Sequence, residues 1–325
     1  MARILVTGGA GFIGSSLIGA LLQSNENHHI IAYDNLSSGK SENISNWRSK
    51  PNFNFIEADM LDVRSLEKEV NKCAIVFHLA ANSNVSVGEK NTKIDFEQNI
   101  MATYNLLEAM RKSQDCKRVI FASTSAIYGE AHIIPISENY SPLRPISLYG
   151  SSKLACESLI SGYCNMFNMT GTIVRLANIA GSTSQQGVIY DFISKLLSDP
   201  KHLDILGNGE QNKSYLHISD CVKAMVTLFE NTEKAIPEVF NVGSDDKVTV
   251  SDIADILIQE LGLRNVERNY IDNYNGRGWT GDIKEFLLDS SKIKKLGWTP
   301  KYNSKGAVIL TVHEFLKSHR RTREH

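Results

Sequence analysis

Short apolar runs alternate with amphipathic stretches along the first half of the chain. The apolar runs at 3–6, 30–33, 53–56, 75–79, 119–122 and 172–176 predict strands. Most are apolar at every position rather than at every second one. That pattern belongs to strands covered on both faces, as in a parallel sheet packed between helices. Helical periodicity falls between the runs, at 13–23, 63–70, 95–111 and 148–167. Strand-helix alternation of this kind predicts right-handed crossovers and a Rossmann-like, doubly wound parallel sheet, an α/β fold.

After Asn178 the rhythm changes. Helices are expected at 188–197, 219–230, 251–261 and 306–317, with a strand at 239–242. Short polar segments around 201–215 and a Gly-rich, aromatic stretch at 270–281 separate them. These features predict a smaller α/β lobe at the C-terminal end. The expected division is a dinucleotide-binding part over 1–178, with segments returning to it from the later chain, and a substrate lobe over 179–325. The Arg-rich tail at 320–325 is expected to be exposed.

Charge and composition narrow the partners. The 325 residues carry 35 Lys and Arg against 36 Asp and Glu, a net charge of -1. That balance gives no electrostatic reason to expect nucleic acid or an acidic membrane surface. No segment approaches the ~18 apolar residues that a membrane-spanning helix needs. Cys73, Cys116, Cys156, Cys164 and Cys221 are scattered and form no CxxC pair. Neither a disulfide framework nor a metal site is expected, and a cytoplasmic location fits this usage.

Thr7-Gly8-Gly9-Ala10-Gly11-Phe12-Ile13-Gly14 follows the first predicted strand and opens the first predicted helix. Glycines at 8, 11 and 14 allow a sharp turn, close approach to a pyrophosphate, and helix-strand packing. Asp34 ends the second strand, where a carboxylate accepts hydrogen bonds from ribose hydroxyls and repels a 2′-phosphate. The expected cofactor is NAD rather than NADP.

A second signal is Tyr149-Gly150-Ser151-Ser152-Lys153, where Tyr149 and Lys153 share a helix face. A cation there is expected to lower the phenol pKa and create a general base for an alcohol proton. The fifth strand ends at Ser123-Thr124-Ser125, where ligands gather in open α/β sheets. Hydroxyls at Thr124 and Ser125 can hold the same alcohol. His78, at the end of strand four, reads as a structural residue.

These motifs resemble the extended short-chain dehydrogenase/reductase family, in particular its nucleotide-sugar epimerases and dehydratases. The likeness runs through TGGAGFIG at 7–14, DNLSSGK at 34–40, HLAA at 78–81, STSAIYG at 123–129, YGSSK at 149–153 and RLAN at 175–178. It continues through GNGEQNKSYLHISD at 207–220 and NVGS at 241–244. The resemblance implies that Gly8, Gly11, Phe12, Ile13, Gly14, Asp34, Asn35, Asp59, Met60, Leu79, Ala80, Ala81 and Asn99 surround NAD. It implies that Thr124, Tyr149 and Lys153 act on the sugar, with Tyr149 and Lys153 also touching the cofactor. It places Ser125, Asn178, Val188, Leu203 and Lys213 along the nucleotide sugar.

The same likeness bears on the reaction. Family dehydratases resemble Thr-Asp-Glu where this chain has Thr124-Ser125-Ala126, and the decarboxylases carry Glu where Ala126 stands. A 4-epimerase passing through a transient 4-keto sugar needs neither carboxyl group. The implied activity is therefore epimerisation of a nucleotide-diphosphate sugar such as UDP-glucose or UDP-galactose. Two alternatives share the motifs: a dehydrogenase that releases the 4-keto product, and a non-catalytic NAD-binding sensor. The chain also departs from the pattern. Trp279 stands where the family carries a diphosphate-binding arginine, which leaves three alternatives: Arg277, two residues upstream, substitutes, Lys213 shares the load, or the substrate differs from a UDP-hexose. Family members pair the helices equivalent to 95–111 and 148–167 into a homodimer. Leu106, Leu107, Met110, Leu154, Leu159 and Ile160 are apolar candidates for that face.

Overall fold

The computed structural model describes residues 2–24, 26–82, 84–232 and 236–323. The chain opens with β1 (Arg3–Thr7), α1 (Phe12–Ser24), β2 (His29–Asp34), β3 (Phe53–Glu57), α2 (Val63–Val70) and β4 (Ile75–His78). A short helix α3 (Lys93–Asp95) runs through a π-helical turn at Phe96–Met101 into α4 (Ala102–Lys112). Then come β5 (Arg118–Thr124), α5 (Leu148–Phe167), β6 (Thr170–Leu176) and β7 (Asn178–Ala180). The later chain holds α6 (Val188–Ser198), β8 (His202–Leu206), β9 (Asn212–Lys213), β10 (Tyr215–His217), α7 (Ile218–Asn231) and β11 (Glu238–Val242). It ends with β12 (Val248–Thr249), α8 (Val250–Glu260), β13 (Glu267–Ile271), β14 (Glu285–Phe286), α9 (Ser291–Lys294) and α10 (Ser304–Arg323). The tail expected at 320–325 thus continues as helix to Arg323; residues 324 and 325 lie outside the described residues.

Seven strands form one sheet in the order β11-β6-β5-β4-β1-β2-β3. Every pairing in it is parallel. The continuous apolar runs have the expected cause. Ile4, Val6, Ile30, Ala32, Ile120 and Ala122 face a core shared with α1 and α7. The alternate residues Leu5, Ile31, Tyr33, Val119 and Phe121 face a second core under α2, α4 and α5. Strand order reverses between β1 and β4, and their carboxyl ends make the crevice where such sheets bind ligands.

The later chain builds a separate core. Leu203 and Ile205 of β8 pack with residues of α6, α8 and α10. Strand β13 pairs in parallel with β8, and β9 lies between β12 and β14. Strand β11 returns to the main sheet beside β6. Most apolar residues proposed for a dimer face belong to the interior: Leu106, Leu107, Met110 and Ile160 are fully buried. What α5 and the α3–α4 segment leave exposed is Phe96, Tyr104, Leu148 and Met166.

Candidate active site

One large cavity, about 1190 Å³, lies along the carboxyl ends of the strands. The glycine turn forms one end. Gly8 adopts φ +68, and its N–H donates to the Tyr33 carbonyl at 2.9 Å. A Cβ on Gly8 would come 2.8 Å from the Ala80 nitrogen, and one on Gly14 would come 2.1 Å from the Gly8 oxygen. Only bare backbone fits there. Asp34 accepts from the Ala10 N–H at 3.0 Å and the Leu36 N–H at 2.8 Å. Burial pushes its carboxyl up, and these backbone donors pull it down.

Thr124 ends β5, where its hydroxyl caps the next turn by accepting from the Ala126 N–H at 3.1 Å. Ser147 caps α5 in the same way, accepting from Gly150 N–H at 3.1 Å, and so fixes the turn that carries Tyr149. Lys153, one turn on, is 3% exposed and donates to the Ala122 carbonyl at 2.9 Å. Its ammonium lies 4.7 Å from the Phe121 ring centre and 5.9 Å from that of Tyr149.

The expected drop in the Tyr149 pKa is not found. Burial and the nearby Asp95 charge push its phenol up to about 12, although a hydrogen bond with Thr124 pulls the other way. Lys153 itself is pushed down to about 8 by burial. Burial is the largest cause in both cases, since it disfavours the charged form of each group.

Two buried polar assemblies brace these residues. Asp95 Oδ1 accepts from Asn82 Nδ2 at 2.9 Å and Asn99 Nδ2 at 3.1 Å. Asn99 also donates to Ser152 Oγ at 2.7 Å, and Ser152 donates to the Tyr149 carbonyl at 2.8 Å. On the other side of α5, the Glu157 carboxylate pairs with Arg175 and accepts from the Ser123 hydroxyl. His78 is structural, as expected. Its ring bonds Thr7 at 2.8 Å and Thr103 at 2.9 Å, and burial pushes its pKa down to about 3.

Most of the expected residues line the cavity: Gly8, Gly11, Phe12, Ile13, Gly14, Asp34, Asn35, Met60, Leu79, Ala80, Ala81, Thr124, Ser125, Tyr149, Lys153, Asn178, Val188 and Lys213. Four do not. The Asp59 carboxylate is taken by Asn35 and the Leu61 N–H, both at 2.8 Å. Asn99 is buried in the Asp95 assembly. Leu203 points into the core of the later chain, and Leu206 of the same strand lines the cavity instead. Arg277 is turned away: it donates to Glu130 at 2.8 Å and to the Asp282 carbonyl at 3.0 Å. The cation of that end is Lys213, which is paired with Asp282.

The expected residues do not include the stretch Ser182–Gln186, which lines the cavity ahead of α6, or Phe286 and Phe315, which line it as well. A run of small polar residues ahead of a helix marks a loop. Only the fold shows that this loop faces the site.

Residues 4–243 match the NAD dependent epimerase/dehydratase family. The chain belongs to that family. A putative UDP-glucose 4-epimerase of Methanocaldococcus jannaschii is 33% identical over 98% of this chain and all of its own length. A crystal structure of a UDP-galactose 4-epimerase is similar at 37% identity and TM-score 0.85, covering 97% of this chain and 99% of its own. The UDP-glucuronic acid 4-epimerase of Bacillus cereus, solved with UDP-glucuronic acid and NAD, is similar at 30% identity and TM-score 0.88, covering 97% and 99%.

As a member of this epimerase/dehydratase family, the chain is an NAD-dependent enzyme. Its own geometry fits the cofactor. A Cβ on Gly11 would crowd the Gly8 oxygen at 3.1 Å, so bare backbone serves best there too. The first N–H groups of α1 have no carbonyl in their own helix to bond, so they suit a pyrophosphate. Gly14→Ala would drive a methyl group onto the Gly8 carbonyl. The expected result is NAD binding weakened about tenfold or more. Calorimetric titration with NAD checks it, and wild-type affinity in the variant would contradict this account of the turn.

Proposed function

We propose that the enzyme is a nucleotide-sugar 4-epimerase acting on a UDP-hexose, interconverting UDP-glucose and UDP-galactose through a transient 4-keto sugar. The observation that carries this reading is the triplet Thr124-Ser125-Ala126 beside Tyr149 in the cavity wall. Thr124 and Tyr149 supply a hydroxyl clamp and a base, and the two following positions supply no carboxyl group. The carboxylates that line the cavity among the described residues are Asp34, Asp191 and Asp282, all on other elements. Loss of water or of carbon dioxide would need an acid beside the sugar. Epimerisation needs only a base and room for the ketone to turn.

In this reading Thr124 holds the O4 hydroxyl and Tyr149 takes its proton. When bound, NAD supplies a cationic ring that accepts a hydride and returns it. Lys153 would hold the cofactor ribose, and its charge would steady the tyrosinate that receives the O4 proton. Tyr149 then gives the proton back to O4 on the turned sugar. Residues 1–178, with segments returning from the later chain, serve the cofactor, and residues 179–325 serve the nucleotide sugar through the loop ahead of α6 and Lys213, beside Asn178. The exposed Phe96, Tyr104, Leu148 and Met166 suit pairing of α4 and α5 in a homodimer.

Purified enzyme given UDP-galactose is expected to form UDP-glucose with no net gain in NADH absorbance. NADH that accumulates while neither sugar converts would replace the epimerase by a dehydrogenase. A deoxy product would make it a dehydratase.

A further inference from the structure

Trp279 lies in a tight turn that the structure fastens from three sides. Gly278 N–H donates to Asp282 Oδ2 at 3.1 Å, Asp282 N–H donates to the Trp279 carbonyl at 3.1 Å, and Arg277 Nε donates to the Asp282 carbonyl at 3.0 Å. The Lys213–Asp282 ion pair ties the turn to β9. Within it the indole folds over Gly281. A Cβ at Gly281 would come 2.4 Å and 2.6 Å from Cζ3 and Cη2 of the indole, and 3.0 Å from Ser147 Cβ. The ring is therefore seated where only glycine gives it room, and that glycine approaches Ser147, which caps α5 two positions before Tyr149.

Trp279, Ser147, Tyr149, Lys213 and Asp282 all line the same cavity. Tyr149 and Thr124 mark the reacting hydroxyl, and Lys213 marks the anionic end of the substrate. The indole lies over Gly281, which approaches Ser147 at the start of α5, and the same turn carries Asp282, the partner of Lys213. The part of a nucleotide sugar between C4 and the anomeric phosphate is the hexose ring. We propose that Trp279 is a specificity-determining residue whose indole face carries that hexose ring. The inference rests on the nucleotide-sugar reading above.

The chemistry suits the task. A pyranose presents C–H groups on its faces, and an aromatic ring meets them through dispersion and burial of apolar area. Such contact has no fixed hydrogen-bond direction. It supports the hexose before and after the ketone turns, where a guanidinium fork would hold one orientation. Indole in place of arginine also leaves Lys213, already offset by Asp282, as the cation lining this end among the described residues.

The test is calorimetric binding of UDP and of UDP-galactose to the NAD-loaded enzyme, in wild type, Trp279→Phe and Trp279→Ala, with NAD affinity as the check on folding. Trp279→Ala is expected to bind UDP-galactose about tenfold more weakly, the scale of a stacking contact with its buried area, while UDP binding stays unchanged. Trp279→Phe is expected to keep most of the UDP-galactose affinity. Equal losses for UDP and UDP-galactose would move the indole to the nucleotide end and overturn the inference. Unchanged binding of both would leave Trp279 as wall packing only. A wild-type enzyme that binds no UDP-sugar would remove the nucleotide-sugar reading itself, an outcome distinct from either.

Discussion

Tyr149→Phe is expected to slow oxidation of the sugar by about 10²–10⁴-fold, the usual contribution of a general base. NAD binding should stay close to that of wild type. The variant removes one oxygen and leaves the ring that packs beside Lys153. The size of the effect follows from the enclosed phenol. Burial holds Tyr149 at about 12, so near neutral pH it is protonated and must be brought to act by positive charge nearby. Lys153 at about 8 still carries that charge below pH 8. Thr124 can hold the substrate alcohol, but an aliphatic hydroxyl is far too weak a base to take over. His78, at about 3 and bonded at both ring nitrogens to Thr7 and Thr103, is not free to do so. Sugar interconversion and transient NADH absorbance, measured in parallel on variant and wild type, check the prediction. A variant that turns over at the wild-type rate would take Tyr149 out of the base role.

The sheet was legible because most strands of the dinucleotide-binding half are apolar on both faces, a pattern that few other environments produce. The glycine turn was legible because its spacing answers to sterics within one local segment. Features built from distant segments were not. Periodicity reads 95–111 as one helix, yet the structure opens a π-helical turn at Phe96–Met101, centred on the Asn99 that bridges Asp95 and Ser152. Strand β8 lies in a stretch that the sequence shows only as short polar segments, because its partner β13 pairs His202 with Glu267, 65 positions later. Its alternation then sends Leu203 and Ile205 inward and Leu206 toward the cavity, which decides the lining residue by register. Arg277 looked like a substitute for a missing arginine, being two residues away. The turn instead points its guanidinium at Glu130, far back in the chain. The direction of the Tyr149 pKa also escaped the sequence. A neighbouring lysine is visible in the spacing, whereas the depth at which both groups sit is not.

Arg175→Met is expected to cost about 3–5 kcal/mol of stability, the range for removing one partner of a buried ion pair. Arg175 and Glu157 are each 5% exposed. Arg175 Nη2 donates to Glu157 Oε2 at 2.8 Å, and Nε donates to Oε1 at 3.1 Å. Its Nη1 donates to the Tyr128 hydroxyl at 2.8 Å and the Glu138 carbonyl at 3.1 Å. Methionine fills similar volume but leaves the Glu157 carboxylate in the interior with only the Ser123 hydroxyl still donating to it. Arg175→Lys should recover part of the loss, since a point charge cannot reproduce the fork. Replacing both partners with apolar residues should cost far less than removing one, because no charge is then left stranded. Denaturant titrations of these variants at neutral pH measure these costs. A single variant as stable as wild type at neutral pH would show that the pair carries no such weight. The cost reaches the site too, since Glu157 sits one turn after Lys153 and Ser123 immediately precedes Thr124.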